Sequence, residues 1–408
     1  MNFPPPPMAS SYVHPNMTPL GPYTSDPRFA AATASMASRT TSSFSSAGAA
    51  ASSSSLSPPP DYVAQPFTRV NNRTYFRDPD NPYPLPCDLA EIHRQSLRTM
   101  TMLEVFGAPS CAPRLQGKRP KRVLELACGS GLWSSACHNH FASYGEKDTS
   151  FIGLDITSVA PDLRKMGVNW QFVRHDLRKS SLPFPSEHFD FVFIKDASLC
   201  QSATAQQVDL LSEPLRVLNR GGILEVWDSD YVFRALLPNP TPPPQLAEKD
   251  HDRAHSTATY TVSSATPFAA AQNKYLIDYN SWVEKAFEKR KLTAMPCATI
   301  GLSFTAEADA FTNMGGRRIA IPLGGDVRWE NTTKQMKLTP DQLALRQTAL
   351  VTIIQMIEGM EPILREASGK TQNEWDKWWA SMTADLLQKN GLANGECLEV
   401  GAWWGQKK

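Results

Sequence analysis

No pair of cysteines in this 408-residue chain has the C-x-x-C spacing that is typical of zinc sites and redox motifs. The seven cysteines are dispersed and odd in number, which argues against a secreted disulfide framework. The eight histidines lack metal-ligand spacing as well, so we expect no bound metal. These absences favour reduced thiols and predict a cytoplasmic or nuclear protein.

An excess of one charge is also missing. The 41 lysines and arginines nearly balance the 40 aspartates and glutamates, so the basic footprint of a nucleic-acid-binding protein is absent. No apolar run approaches the ~20 residues that a membrane helix needs. We therefore expect neither a nucleic acid nor a membrane as a partner.

Core-forming residues are scarce at the beginning of the chain. Residues 1 to about 60 are rich in proline, serine and alanine, and such a composition cannot bury enough apolar surface to offset the entropy of ordering. Asp26 is the only acid there, and a scarcity of acids is also typical of mitochondrial presequences. The early prolines and the small number of arginines argue against a targeting helix. We predict a disordered tail over 1–74 and a folded domain over 75–408.

Short apolar strands alternate with helical segments between residues 122 and 230. The alternation predicts an α/β fold with a mostly parallel sheet, right-handed crossovers and helices on both faces. The predicted strands are 123–126, 151–154, 170–173, 189–194 and 223–226, and the predicted helices are 132–141 and 205–218, with a turn at 219–222.

The flanking segments are predicted to add helices and a last strand. Asp88 caps a helix that runs to about residue 106, and capping boxes begin further helices after Thr339 and Thr371. Residues 398–404 can return to the sheet as a strand. The folded domain thus divides into a core over 122–230, a Pro-rich insertion over 236–271, and C-terminal helices and strands over 272–408. An insertion of this length predicts a functional lid or a disordered loop.

The most informative stretch begins at Val123, where a strand, a glycine-rich turn and a helix follow directly on one another. Gly129 and Gly131 have no Cβ, so the backbone of this turn can approach a ligand closely. The N–H groups at the beginning of the helix can bind the polar groups of that ligand. Glu125, near the end of the strand, favours a ligand that carries a cation or hydroxyls over a bare pyrophosphate.

Acids recur where the later strands end. Asp155, Asp176 and Asp196 follow three of them, and the carboxyl ends of parallel strands form the ligand crevice of an open sheet. Asp155 can accept charge-assisted hydrogen bonds from two ribose hydroxyls. Asp176 can accept one from the adenine amino group, with the N–H of Leu177 facing a ring nitrogen. With Glu125 near a ligand amino group, these positions indicate S-adenosylmethionine.

Other interpretations of the same residues remain open. Each acid alone can cap a helix or a turn, and Gly129-x-Gly131-x-x-Ser134 nearly matches the dinucleotide motif G-x-G-x-x-G/A. In that motif the ribose-binding acid follows after ≈ 20 residues, whereas Asp155 lies 26 residues after Gly129 (155 − 129). An NAD-dependent oxidoreductase is therefore an alternative, in which neither Glu125 nor the pair His175-Asp176 has a role.

The same segments resemble the motifs of a known family. Residues 125–133, Glu-Leu-Ala-Cys-Gly-Ser-Gly-Leu-Trp, resemble the first motif of class I S-adenosylmethionine-dependent methyltransferases. The later motifs of the family are similar to residues 153–156, 175–177, 189–194 and 215–225. Residues 83–88, with Glu91 and Arg94, resemble the entry segment of the fungal LaeA-like group.

The resemblance implies a Rossmann-like sheet of seven strands whose last strand is antiparallel. Residues 398–404 would be that strand, and 318–321 its neighbour. Ala127 stands where the family often has a glycine, which is tolerable if the φ of Ala127 is negative.

The family resemblance and the acids at the strand ends together predict one candidate active site. A hydroxyl or amine acceptor can lose a proton, so we also predict a general base near the crevice. The acceptor is a small metabolite or a protein; the alternative is a LaeA-like regulatory protein that binds the donor and acts through protein partners. The predicted donor-binding residues are Glu125, Ala127, Gly129, Ser130, Gly131, Asp155, Ile156, Asp176, Leu177 and Lys195, and the candidate bases are Asp196, Asp228, Asp230 and His175.

Overall fold

The computed structural model describes residues 67–77, 83–116, 120–178, 181–200, 211–238, 240, 243, 247–325, 337–388 and 391–408. The tail predicted up to residue 66 and positions 205–210 of a predicted helix lie outside the described residues.

The strands among the described residues form a hairpin and one large sheet. The hairpin consists of β1 (Phe67–Val70) and β2 (Arg73–Phe76). The large sheet consists of β3 (Arg122–Leu126), β4 (Ser150–Asp155), β5 (Trp170–Arg174), β6 (Phe189–Lys195), β7 (Leu218–Ser229), β8 (Arg234–Leu236), β9 (Tyr260–Val262), β10 (Phe268–Ala270), β11 (Phe311–Pro322) and β12 (Glu396–Lys407).

Seven strands carry the main part of that sheet. Neighbouring strands lie in the order β5-β4-β3-β6-β7-β12-β11. The five strands from β5 to β7 are parallel, and β12 is antiparallel to both β7 and β11. This arrangement confirms the predicted mostly parallel sheet with an antiparallel last strand, and it places 398–404 and 318–321 side by side as expected.

The helices follow the capping signals in the sequence. Asp88 caps the helix after it by accepting the N–H of Glu91, and capping boxes are present at Thr339 and Thr371. The helices are α1 (Leu89–Phe106), α2 (Leu132–Ser143), α3 (Ser212–Val217), α4 (Glu248–Thr257), α5 (Lys274–Arg290), α6 (Pro296–Ala306), α7 (Pro340–Gly359), α8 (Glu361–Ser368) and α9 (Gln372–Leu386). Among the described residues, no helix combines the length and the apolar character required to cross a membrane.

Alternate residues of the central strands pack on opposite faces of the sheet, as the two-residue period of a strand requires. Val123 belongs to one buried cluster with residues of α1, α2, α5 and α7, including Met102 and Trp133. Leu124 belongs to another with residues of α3 and α6, including Ile300. Helices therefore cover both faces, as predicted.

The turn predicted at 219–222 is part of β7 instead. The register between β6 and β7 shifts between Phe189 and Phe191, and Gly221 has a φ of 75°. Gln406 of β12 donates from Nε2 to the carbonyl of Gly221 at 2.8 Å. Residues 221 and 222, both glycines, thus form an irregularity within β7 that pairing with the neighbouring strands stabilises.

Two further segments carry more structure than expected. In the described part of the insertion, α4 is followed by β9, which pairs with β11, and by β10, which pairs with β8. The insertion thus extends the sheet and satisfies strand edges that would otherwise be unpaired. Residues 67–74, which the sequence assigned to the tail, form most of the β1–β2 hairpin.

Candidate functional site

The glycine turn between β3 and α2 is held from beneath by Glu125. This side chain is 1% exposed, and its carboxylate accepts hydrogen bonds from the backbone N–H of Ser134 at 3.2 Å and from its hydroxyl at 2.5 Å. Burial raises the pKa of Glu125 to about 7. The carboxylate therefore joins the first turn of α2 to the end of β3.

Three residues of the turn have a left-handed backbone. The φ values are 49° at Gly129, 68° at Gly131 and 54° at Ala127. The sequence analysis held alanine tolerable at position 127 if its φ is negative. That condition is not met, and a non-glycine residue in the left-handed region costs about 1–2 kcal/mol. A Cβ added at Gly129 would lie 2.6 Å from Oε1 of Gln95 in α1. Because that atom is the end of a flexible side chain, the positive φ rather than this contact favours glycine at position 129.

Asp155 closes the turn from the end of β4. Its Oδ2 accepts the N–H of Gly129 at 2.8 Å, and its Oδ1 accepts the N–H of Ile156 at 2.7 Å. Burial raises the pKa of Asp155. In the part of the chain that the structure describes, Asp155 forms no ion pair. Its hydrogen-bond donors are backbone N–H groups, and the charge of Lys195 also acts to lower its pKa. Such a carboxylate can accept further hydrogen bonds from hydroxyls.

His175 and Asp176 follow β5, at the edge of the parallel strands. Nε and Nη2 of Arg178 contact the two oxygens of Asp176 at 2.9 and 2.8 Å. The Nε2 atom of His175 is buried and has no hydrogen-bond partner among the described residues. The pKa of Glu213 is lowered mainly by its hydrogen bond with Arg216, and His175 adds to the effect. The His175 ring therefore interacts with this peripheral carboxylate.

Asp196 follows β6 and contacts two cations. Nη2 of Arg98 lies 2.7 Å from Oδ1, and Nζ of Lys195 lies 2.7 Å from Oδ2. Burial alone would raise the pKa of Asp196, but Arg98 and Lys195 hold it well below its usual range. A carboxylate that stays ionised so strongly is a poor proton acceptor, which argues against the predicted role of Asp196 as a general base.

Asp228 and Asp230 are buried at the end of β7. Burial, with repulsion from Asp196, raises the pKa of Asp228 to about 7. Burial raises the pKa of Asp230 to about 6, and Oδ1 of Asp230 accepts the N–H of Cys297 at 2.9 Å. Tyr231 is close enough to Asp228 that this carboxylate, together with burial, raises the pKa of the phenol. Tyr231, unlike Asp228, lines the cavity between α1 and the strand ends.

This cavity brings together most of the predicted site residues. It is lined by Ala127, Gly129, Asp155, Ile156, His175, Asp176, Leu177, Lys195 and Asp196. The other predicted residues do not line it: Glu125, Ser130, Gly131, Asp228 and Asp230.

Helix α1 supplies a wall of the cavity that the sequence analysis did not assign. Glu91, Arg94 and Arg98 are at most 5% exposed, and they line the cavity together with Gln95. Nη2 of Arg94 lies 2.7 Å from Oε1 of Glu91. The sequence signal for this wall is the spacing of three residues from Glu91 to Arg94 and of four from Arg94 to Arg98, which places the three charges on one helix face. Buried charges require polar partners, so that face had to meet a polar site.

One cluster of metal-ligand side chains occurs outside the cavity. Asp230, Cys297 and Glu399 bring three suitable atoms together. Nη2 of Arg234 lies 2.6 Å from Glu399 and 3.3 Å from Asp230, and Arg318 also pairs with Glu399. The two guanidinium groups balance the acids, so we interpret the cluster as an ion-pair network that joins β8, β11 and β12.

Sequence comparisons place a known domain over these strand ends. Residues 123–222 match the family model described as a methyltransferase domain. A stretch of 99 residues is 30% identical to the secondary metabolism regulator LaeA of Aspergillus flavus, covering 24% of this chain and 25% of that protein. A stretch of 154 residues is 29% identical to the regulator of the same name in Coprinopsis cinerea, covering 36% of each chain. The chain thus matches about a quarter to a third of the length of these relatives.

Structural similarity extends to solved structures with low sequence identity. The YcgJ protein of Bacillus subtilis is 15% identical, with 78% of this chain and 99% of that chain covered and a TM-score of 0.36. Phosphoethanolamine N-methyltransferase 2 of Haemonchus contortus, in complex with phosphomonomethylethanolamine and S-adenosylhomocysteine, is 14% identical, with 80% and 61% covered and a TM-score of 0.34. The family match and the LaeA matches, together with the strand-end motifs, identify a class I S-adenosylmethionine-dependent methyltransferase domain in this chain, which resembles the LaeA group.

Proposed function

We propose that the protein binds S-adenosylmethionine between α1 and the strand ends and transfers its methyl group to a hydroxyl or amine of a small molecule. The observation that carries the proposal is the position of Asp155. This carboxylate lines the cavity at the tip of β4, beside the glycine turn, and forms no ion pair among the described residues.

The residues around Asp155 fit the donor. The ribose hydroxyls can donate to Asp155, and the adenine amino group can donate to Asp176 after the next strand. Gly129 lines the cavity with a φ of 49°, a backbone conformation that favours glycine. The donor supplies a methyl group that is already activated by the sulfonium, so the protein has mainly to align the reactants and exclude water.

The cavity also suits a partly apolar acceptor. Its lining includes Tyr83, Leu85, Leu199, Cys200, Tyr231 and Met356. Two tyrosine hydroxyls among apolar side chains can orient a small molecule by a few polar contacts, as is usual for small-molecule sites. Burial raises the pKa of both Tyr83 and Tyr231, so both phenols stay protonated and can donate hydrogen bonds.

Asp228 is the best-placed acid to receive a proton from the acceptor. Its pKa of about 7 is close to the working pH of an intracellular enzyme, which is the condition for an efficient general base. It does not line the cavity itself, so the transfer needs a relay. The hydroxyl of Tyr231, which lines the cavity and is electrostatically coupled to Asp228, would accept the proton of the acceptor and give its own proton to Asp228.

Isothermal titration calorimetry with S-adenosylmethionine, S-adenosylhomocysteine and NAD tests the proposal. We expect both sulfur compounds to bind and NAD not to bind. Asp155→Asn should weaken binding by about 10- to 100-fold, since hydrogen bonds to a charged group contribute about 1.5–3 kcal/mol. Asp376→Asn is the matched control, because Asp376 is an exposed carboxylate on α9. Binding of NAD without binding of the sulfur compounds would overturn the proposal.

A regulatory role is the second candidate, and the similarity to two LaeA proteins, which are secondary metabolism regulators, favours it. In that case the protein binds the donor and acts through protein partners. Incubation with labelled S-adenosylmethionine and a fractionated extract of small molecules separates the two. Label transfer to a small molecule supports the enzyme. Donor binding without transfer, together with a stable protein complex in a pulldown, supports the regulator.

A further inference from the structure

The β1–β2 hairpin is fixed to the body of the domain by several contacts, including those of Arg73 and Tyr75. Nε and Nη2 of Arg73 donate to the two oxygens of Asp88 at 2.7 and 3.0 Å, and Asp88 is the N-cap of α1. The hydroxyl of Tyr75 donates to the carbonyl of Gly359 at 2.9 Å, at the end of α7. The hairpin is therefore attached to the helix that forms one wall of the cavity.

The end of the hairpin reaches the cavity at Phe76, which lines it together with Asp176 and Arg178. The guanidinium of Arg178 lies 6.0 Å from the centre of the Phe76 ring, within the range of a cation–π contact. The same guanidinium contacts both oxygens of Asp176, and the backbone N–H of Arg178 donates to Oδ1 at 3.0 Å. A continuous set of contacts thus joins the hairpin to the acid assigned to the adenine.

We propose that the hairpin completes the donor site, with Phe76 as a stacking wall for the adenine and Arg178 as the residue that positions Asp176. This inference rests on the proposed function. The three contacts from residue 178 fix the plane of the carboxylate. A carboxylate fixed in this way accepts a hydrogen bond from the adenine amino group and rejects a base with a carbonyl at the same position.

The selectivity between two ligands separates this role from a merely structural one. S-Inosylhomocysteine differs from S-adenosylhomocysteine by a carbonyl in place of the adenine amino group. We expect the wild-type protein to prefer the adenine compound by about 10- to 100-fold, the discrimination expected when a polar site is left unpaired. Arg178→Gln should reduce this preference to less than about threefold, because the carboxylate loses its fixed orientation.

The chain offers a matched control in the motif Asp162-Leu163-Arg164, which repeats Asp176-Leu177-Arg178 with the same geometry. Nε and Nη2 of Arg164 lie 2.8 and 3.1 Å from the two oxygens of Asp162, and Arg164 does not line the cavity. We expect Arg164→Gln to keep the wild-type preference.

Phe76 is tested with Phe76→Leu, which keeps the bulk of the side chain but removes the aromatic face. Binding of both compounds should weaken by the same factor, about fivefold or more, since stacking of a base on an aromatic ring does not depend on the base's polar groups. Thermal melting of each variant verifies that it is folded.

The result that would overturn the inference is a wild-type preference that persists in Arg178→Gln, or unchanged binding by Phe76→Leu. In both of these cases S-adenosylhomocysteine still binds the wild-type protein, so the proposed function would stand. Failure of the wild-type protein to bind S-adenosylhomocysteine at all would remove the proposed function and the inference with it.

Discussion

The ion pair between Arg98 and Asp196 gives a quantitative prediction. The two side chains are 6% and 16% exposed, and Nη2 of Arg98 also donates to the hydroxyl of Ser229 at 2.6 Å. The substitution Arg98→Met leaves Asp196 in place with Lys195 as its remaining cation. Removing one partner of a buried pair costs about 3–5 kcal/mol, because the other charge stays buried without sufficient compensation. We expect the free energy of unfolding to fall by that amount.

Urea unfolding at pH 7, followed by circular dichroism, measures this loss in a double-mutant cycle. Asp196→Asn is the suitable second substitution, because asparagine tolerates the φ of 55° at this position. The double variant should lose less than the sum of the single losses, since neither charge is left alone. Arg164→Met is the control, because the pair of Arg164 with Asp162 lies at the surface and should contribute little.

The same pair predicts a pH dependence. The pKa of Asp196 is lowered in the folded state, so the stability that it contributes is present above the ordinary value of about 3.9 and is lost as the pH falls towards the lowered value. The difference between the wild type and Asp196→Asn should be constant from pH 7 to about pH 5 and decrease below about pH 4. The reasoning fails if Arg98→Met costs no more than Arg164→Met, or if the losses are additive.

Three further outcomes follow from the strained and buried positions. Ala127→Gly should raise the free energy of unfolding by about 1 kcal/mol in urea titrations, because Ala127 has a φ of 54°; a decrease would contradict the strain. The pKa of Asp228 is raised from 3.8 to about 7 in the folded state, so the free energy of unfolding of the wild type falls as the pH rises between these values. Relative to the wild type, Asp228→Asn should therefore gain stability from pH 5 to pH 8, and an unchanged difference across that range would be inconsistent with the burial argument. Tyr75→Phe should lower the free energy of unfolding by about 1 kcal/mol, the usual contribution of one hydrogen bond, and chemical denaturation that shows no loss would exclude a role for the contact with Gly359.

The main sheet could be predicted because its signals are local. An apolar strand with an acid at its end, such as the one that ends at Asp155, carries its own period and its own boundary. The capping box at Thr339 is equally local, since both partners lie within one helical turn. The structure confirms these elements to within a few residues, as shown by Ser150–Asp155 in place of 151–154.

The remaining features depend on contacts between distant parts of the chain. The three-residue strands β8 and β10 are too short to carry a pattern and exist because they pair with each other and with β12. The ion pair of Arg98 with Asp196 joins residues 98 positions apart, so no local spacing could reveal it. The positive φ of Ala127 could not be inferred from the sequence for the same reason, since the backbone there is fixed by the turn as a whole rather than by the preference of alanine.

The hydrogen bonds of the glycine turn favour the sulfonium donor over a dinucleotide. A dinucleotide site offers the N–H groups of such a turn and of the following helix to the pyrophosphate. Here the N–H of Gly129 already donates to Asp155 at 2.8 Å, and that of Ser134 donates to Glu125 at 3.2 Å. Two carboxyl groups thus occupy the donors that a pyrophosphate would need, and the negative charge of Asp155, which lines the cavity, would repel it. A ligand that offers hydroxyls and a positive charge meets Asp155 favourably, and S-adenosylmethionine offers both.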